Sequence, residues 1–361
     1  MARIELKGVA HSYQSSPTKP EDYALHSADL TWEDGGAYAL LGPSGSGKTT
    51  LLNIISGLVQ PSEGQILFNG RDITRLSTAQ RNIAQVFQFP VIYDTMTVFD
   101  NLAFPLRNRG VRESEVRVNV TKVAELLDLT GDLKHRASGL AVDAKQKISL
   151  GRGLVRTDVT AILFDEPLTV IDPHVKWKLR LKLKQIRQEF KSTLIYVTHD
   201  QAEALTFADQ VMVLCEGRVV QIGSPTELFE HPAHTFIGHF IGSPGMNLLS
   251  CAIDATGVAV DGHSIALDPA YTEQARLAGG RLELGIRPEF VRYKPQASEG
   301  YLQTEVTQVD DMGNYKIATA LLGKRSVKVK VDENVTVATG PGWLAFPREW
   351  ARLYVDGEVL R

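Results

Sequence analysis

Eight residues, GPSGSGKT at 42–49, limit what this chain can fold into more than any other stretch. They follow the apolar run AYALL and open a helical pattern, TTLLNIISGL. A strand, a glycine-rich loop and a helix N-terminus in that order form a phosphate-binding loop. Gly42, Gly45 and Gly47 let the backbone come close to phosphate oxygens, and the helix start turns bare N–H groups toward the anion. Lys48 is placed to reach the β/γ-phosphates, and the Thr49 hydroxyl is placed to take Mg²⁺. Pro43, Ser44, Ser46 and Thr50 complete the loop as nucleotide-binding candidates.

The surrounding rhythm agrees with such a loop. ILFDEP at 162–167 carries Asp165 and Glu166 off the end of an apolar strand, and IYVTHD at 195–200 does the same with His199. Helical patterns separate these strands, so the spacing predicts a mostly parallel sheet with helices on both faces. Ligands of such sheets bind at the carboxyl ends of the strands. Asp165 is placed to hold Mg²⁺, Glu166 to act as general base on a water, and His199 to bond a γ-phosphate or orient that water. Gln88, at the end of the apolar VFQ, is a further candidate for Mg²⁺ and water, and Tyr13 offers a stacking face for a base.

Composition narrows the class. The chain has 361 residues, 43% hydrophobic, with a formal net charge of −3 and pI near 6.3. That acidic balance gives no footprint for nucleic acid. No apolar run approaches the ~20 residues of a membrane span, and MARIELKGVA lacks the apolar centre of a signal peptide. Cys215 and Cys251 have no metal-ligand spacing, and a cytosolic setting follows as the default. The stretch from about 89 to 155 reads as a helical insert. VMVLCEGRVVQIG reads as a hairpin turning at Glu216-Gly217. Past about 245 the texture changes to short strands with Gly/Asp turns, which predicts a small all-β domain, barrel or sandwich. The expected organisation is therefore an α/β nucleotide-binding domain at 1–245 and a β-rich domain at 246–361.

The order Tyr13, GPSGSGKTT, VFQ, a helical insert, ILFDEP, Asp172 and VTHD resembles the ATP-binding subunits of ABC transporters. GIRPEF at 285–290, set in a β-rich tail, resembles the regulatory domain of carbohydrate-importer ATPases of the maltose and glycerol-3-phosphate type. MTVFDNLAFPLRNRG, AKQKISLGRGLVR and DEPLTVIDPH place the chain near the GlpS-type ATPase subunits of bacterial glycerol importers. The resemblance implies a P-loop NTPase fold with an OB/TOBE-like tail, and ATP hydrolysis with Mg²⁺. It implies a peripheral position on the cytoplasmic face of a bacterial inner membrane. Two membrane permease subunits would dock at 88–107, a periplasmic solute-binding protein would act indirectly, and Asp172 would cross to a second ATPase subunit.

One stretch departs from the pattern. Aligned without gaps, ISLGRGLV puts Leu140, Ala141, Val142, Asp143 and Ala144 where the family carries the signature LSGGQ. A serine hydroxyl is lost, and two glycines become a β-branched residue and a carboxylate. Two like charges ~4 Å apart repel by ~1 kcal/mol in water and by more where water is excluded. The rival alignment makes Ser138-Gly139 the signature pair with three residues inserted behind it. The gapless reading implies an asymmetric pair: a different ATPase subunit with an intact signature completes this chain's site. An ATP-binding structural subunit, a homodimeric importer ATPase, a soluble ABC ATPase acting on DNA or ribosomes, and an exporter ATPase are the alternatives.

Overall fold

The computed structural model describes residues 2–189 and 192–360. The chain divides into two compact units, Met1–Pro225 and Thr226–Arg361.

Among the described residues the first unit holds two sheets. β1 (Ile4–His11), β2 (Leu25–Trp32), β4 (Glu63–Phe68) and β5 (Arg71–Asp72) form an antiparallel sheet in the order β2-β1-β4-β5. β3 (Ala37–Leu41), β6 (Ala84–Val86), β7 (Ala161–Asp165), β8 (Thr193–Thr198), β9 (Gln210–Cys215) and β10 (Arg218–Gly223) form the second, ordered β10-β9-β3-β8-β7-β6. Its strands run parallel except β10, which closes an antiparallel hairpin with β9. Glu216 and Gly217 both take positive φ, +48° and +74°, so the hairpin turns where the sequence places it, with the backbone twist that a two-residue turn requires. Every residue of β3 and β8 is buried, as expected of a parallel sheet covered on both faces.

Helix α1 (Lys48–Ser56) lies in the main core, where Leu51 and Ile55 join Leu6 and Ile66 of one sheet and Leu40, Leu163 and Val197 of the other. Its C-terminus is closed by Arg81, at the end of α2 (Thr78–Arg81). That guanidinium is almost fully buried and donates to the carbonyls of Ile54 (2.6 Å), Ile55 (2.9 Å), Thr74 (2.8 Å) and Leu76 (3.0 Å). A cation at a helix C-terminus is stabilised by the carbonyl dipoles there. Helices α3 (Val98–Arg107), α4 (Glu113–Leu126) and α5 (Val142–Leu154) occupy the expected helical insert. α6 (Pro173–Glu189) and α7 (Gln201–Phe207) flank β8 in sequence. Among the described residues no helix is long and apolar enough to cross a membrane.

The second unit opens within α8 (Pro225–Glu230), whose first residue ends the first unit, and continues through α9 (Thr235–Phe240), with α10 (Pro269–Ala278) later. Its β-structure consists, among the described residues, of antiparallel sheets of four, three and five strands. Their inward faces share a core of Leu249, Leu284, Ile286, Ala320, Val329 and Leu344. The division at 225 falls earlier than the change of texture near 245 because α8 and α9 belong with the tail. Arg287 explains why. It is 2% exposed and donates to the carbonyls of Leu228, Phe229, Gly238 and Ile241, at the ends of both helices, with its guanidinium 4.1 Å from the Phe229 ring centroid. Burial pushes its pKa down to about 10, which still leaves it charged at neutral pH.

Replacing Arg287 with leucine leaves those carbonyls without a donor in a buried setting, which costs about 2–4 kcal/mol. Native-state hydrogen exchange in the 302–332 strands of R287L should speed up accordingly, while the strands of the first unit keep their protection.

Candidate functional site

The loop after β3 is built by close packing. A Cβ on Gly42 would lie 2.2 Å from the carbonyl oxygen of Leu214, so no other residue fits there without moving β9. Gly47 combines φ of +95° with a Cβ position 2.6 Å from the carbonyl of Ala24. The hairpin turn braces the loop from outside, since Gly217 N–H donates to the Ser46 carbonyl at 3.2 Å. Ser44 and Gly45 sit exposed at the crest, beside half-buried Pro43. Lys48 is 5% exposed and turns back into its own loop, donating to the carbonyls of Gly42 (2.9 Å) and Pro43 (2.8 Å), with Ser46 Oγ at 3.5 Å. Thr49 opens α1 and is exposed, whereas Thr50 is buried and holds the Tyr13 hydroxyl at 3.2 Å. The Tyr13 ring stands edge-on to His11 at 4.6 Å and is 66% exposed, leaving an open aromatic face beside the loop.

The acidic pair faces this loop. Asp165 ends β7, and Glu166 follows in the left-handed region at φ +45°, its N–H donating to Val197 of β8 at 2.9 Å. Such a backbone is strained for a non-glycine residue and persists only where the surroundings fix it. Burial pushes the Asp165 carboxyl above its ordinary range, Glu166 adds to the rise, and Lys48 opposes it. Burial pushes the Lys48 ammonium down, and Glu166 and Asp165 oppose that shift. The three charges therefore lie in one another's field. His199, just past β8, sets Nδ1 3.1 Å from Glu166 Oε2, and Thr169 Oγ1 donates to the same oxygen at 3.2 Å.

Gln88 lies two residues past β6, which pairs with β7. Lys48, His199, the Asp165-Glu166 pair and Gln88 thus leave from neighbouring strands, β3-β8-β7-β6, at one carboxyl edge. The oxygen donors Thr49, Asp165 and Gln88 are of the kind a hard cation such as Mg²⁺ takes. Asp172 is placed differently. It is exposed, and its carboxylate accepts from the His174 N–H at 2.9 Å, capping the start of α6.

Glu203 and Gln146 are buried polar side chains that no local sequence pattern marks. Glu203, 4% exposed, accepts from the hydroxyls of Tyr196 (3.0 Å) and Thr198 (2.8 Å), with Lys176 Nζ of α6 at 3.5 Å. Burial, foremost, raises the Tyr196 phenol well above its ordinary pKa. Gln146, fully buried in α5, donates to the carbonyls of Pro167 (2.8 Å) and Phe87 (3.3 Å). Both stand on helices, where a polar residue normally faces water, and their burial comes from tertiary contacts. At the start of α5, Ala141 occupies the N-cap position with no side-chain acceptor, Asp143 lies in the first turn, and Ser138-Gly139 belong to a separate 3₁₀ turn.

A buried lysine in a glycine cradle, facing two carboxylates and a histidine at the edge of a parallel sheet, defines a nucleoside-triphosphatase. Comparison with known proteins gives the family. Residues 25–169 match the ABC transporter family and residues 242–291 the MalK OB fold domain. The sn-glycerol-3-phosphate import ATP-binding protein UgpC of Escherichia coli O157:H7 is 35% identical over 363 residues, covering 99% of both chains. The protein of that name from Cupriavidus necator is 35% identical over 94% of this chain and 93% of its own. Among solved structures, cbiO1 from Clostridium perfringens, part of the ABC transporter complex cbiONQ, superposes with a TM-score of 0.57 at 25% identity, covering 63% of this chain and 90% of that one. A nucleotide-free ATP-binding cassette from an ABC transporter shares the fold at 23% identity and a TM-score of 0.53. The chain belongs to the ATP-binding subunits of ABC transporters and is an ATPase coupled to transport, with a MalK-type OB fold in its second unit. The expected fold class and family are borne out.

Lys48→Ala should abolish measurable ATP binding by the isolated chain. Glu166→Gln should leave Mg²⁺-ATP affinity within about threefold and lower hydrolysis at least about a hundredfold, as loss of a general base does. Equilibrium nucleotide binding and single-turnover hydrolysis separate the two effects.

Proposed function

We propose that this chain is the hydrolysing half of an asymmetric ATPase pair in an importer of a small polyol or polyol phosphate. The observation that carries the reading is the gathering of Lys48, Asp165, Glu166 and His199 at one sheet edge, while the N-terminus of α5 carries Ala141, Val142 and Asp143.

In this reading the loop from Gly42 to Thr50 binds the phosphates of ATP and Tyr13 stacks on the base. Lys48 swings from its own carbonyls onto the β/γ-phosphate oxygens, which relieves the burial of an ammonium beside neutral acceptors. Thr49, Asp165 and Gln88 hold Mg²⁺, which when bound offsets phosphate charge. A buried carboxyl whose pKa is raised suits that cation, because the ion supplies counter-charge that the protein leaves incomplete. Glu166 takes the proton of the attacking water, and His199, 3.1 Å away, fixes the direction of that carboxylate.

The α5 start is the surface this chain would lend to a neighbouring ATPase. With no hydroxyl at the cap, an exposed valine next and a carboxylate in the first turn, it repels a γ-phosphate where a Ser-Gly-Gly start would attract one. Two copies of this chain would then hold two poorly covered sites. A different ATPase subunit, bringing an intact signature, completes the site built on Lys48 and Glu166, with Asp172 facing the interface. A structural subunit that binds ATP without turnover is disfavoured by the paired Glu166 and His199.

Exposed Phe89, Val91 and Tyr93, within 88–107, form the proposed seat for the two membrane permease subunits on the cytoplasmic face of a bacterial inner membrane. A periplasmic solute-binding protein acts through them, and no nucleic acid is involved. The solute follows from relatives. The curated ones are named for sn-glycerol-3-phosphate import, and the motif resemblance points to glycerol; a three-carbon polyol skeleton is common to both.

Purifying the tagged chain from its native membranes should recover a second, different ATPase chain in equal amount together with two permeases. Full ATPase activity from an assembly containing only copies of this chain would defeat the asymmetric reading. In the purified assembly, Ala141→Ser, Val142→Gly and Asp143→Gly combined should raise ATP turnover about twofold, as activating a second equivalent site does.

A further inference from the structure

We infer that Gln146 is a positioning residue that couples this chain's own nucleotide site to the N-terminus of α5, the surface it offers to the neighbouring site. The inference rests on the proposed reading that the P-loop binds ATP and that α5 faces a second ATPase chain.

Its geometry is specific. Both partners of the Gln146 side chain are backbone carbonyls, Pro167 at 2.8 Å and Phe87 at 3.3 Å, so its single amide nitrogen must face them and spend both protons there. Pro167 directly follows Glu166, and Phe87 directly precedes Gln88. One side chain of α5 therefore holds the backbone beside two of the site's functional residues. Its own Oε1 is buried without a partner among the described residues. An unsatisfied buried acceptor is unfavourable, and an apolar residue of equal length would avoid it. The two-carbonyl bridge is what the amide provides in return.

The same face of α5 continues along the segment after Gln88. Lys145 pairs with Asp94 at 2.9 Å, Ser149 Oγ accepts from Val91 N–H at 3.4 Å, and Arg152 donates to the Val91 carbonyl at 2.7 Å. Spacing of three to four residues keeps these groups in one row. Gly153 lets the helix approach β6, since a Cβ there would lie 2.9 Å from Val86 Cγ2. Meanwhile α5 has little intrinsic preference for its shape. It carries Gly151 and Gly153 inside the helix and has no capping side chain at Ala141. Its position is set by these contacts rather than by propensity. When nucleotide draws Gln88 and the Glu166 loop inward, the amide of Gln146 carries that displacement to Ala141 and Asp143, about 5–8 Å along the helix.

The test is amide hydrogen exchange on the full chain with and without Mg²⁺ and a non-hydrolysable ATP analogue. In the wild type, nucleotide should slow exchange in 42–56, in 86–91 and in 142–150. In Gln146→Met, which keeps length and removes both donors, slowing at 42–56 should persist with half-saturation within about threefold, while the response at 142–150 disappears. In the assembled transporter the same variant should lose at least about tenfold in kcat at nearly unchanged KM, the split expected when positioning and not ground-state binding is lost. Gln146→Glu, which aims a carboxylate at two carbonyls, should do at least as much. A normal response at 142–150 in Gln146→Met overturns the inference, and so does a parallel loss of nucleotide binding at 42–56, which marks a merely structural core contact. No response anywhere in the wild type overturns the nucleotide reading itself, and this inference with it.

Discussion

The buried ammonium of Lys48 opposite Asp165 and Glu166 is the constraint around which the first unit is arranged. Burial disfavours the charged forms of Lys48 and Asp165, and the opposite charges nearby partly offset that cost. Holding them requires strand ends that do not move. β3, β7 and β8 supply these from the middle of a sheet buried on both faces, with α1 enclosed in the core beneath them. The left-handed backbone at Glu166, tied to β8 by its N–H, shows that the arrangement is imposed on the chain and not merely allowed by it.

A second principle recurs in both units. Arg81 and Arg287 are almost fully buried, and each spends its donors on backbone carbonyls at helix ends. A helix ending inside a fold leaves carbonyls that water cannot reach. A planar guanidinium with five N–H groups answers several of them at once. Arg81 thereby fixes the far end of the helix whose first turn is the phosphate loop. Arg287 fixes the two helices that precede the β-structure of the tail.

Much of this was legible in the sequence because it depends on short-range pattern. The phosphate loop, the strand-borne Asp165-Glu166 pair, His199 and the Glu216-Gly217 turn are each encoded within a few residues, so their places in the fold follow from local pattern. Gln146 and Glu203 were not legible. Each stands on a helix where a polar residue normally faces water, and its burial follows from partners at least five and as many as 59 residues away. The division at 225 was hidden for a related reason. The change of texture at 245 marks where strands begin, whereas the limit of a packed unit depends on a contact from Arg287 back to Phe229, 58 residues earlier. Asp172, read as a nucleotide or interface group, is seen capping α6, a local duty compatible with any sequence reading.

The Arg287 contacts also bear on how such tails are exchanged between transporters. A recombination event joining a foreign β-domain at the visible seam near 245 would separate the arginine from the carbonyls of Leu228, Phe229, Gly238 and Ile241, stranding a charge on one side and unpaired acceptors on the other. Inheritance of the tail as a module is therefore expected to start at the 225/226 division, with the two short helices travelling as its obligatory leader.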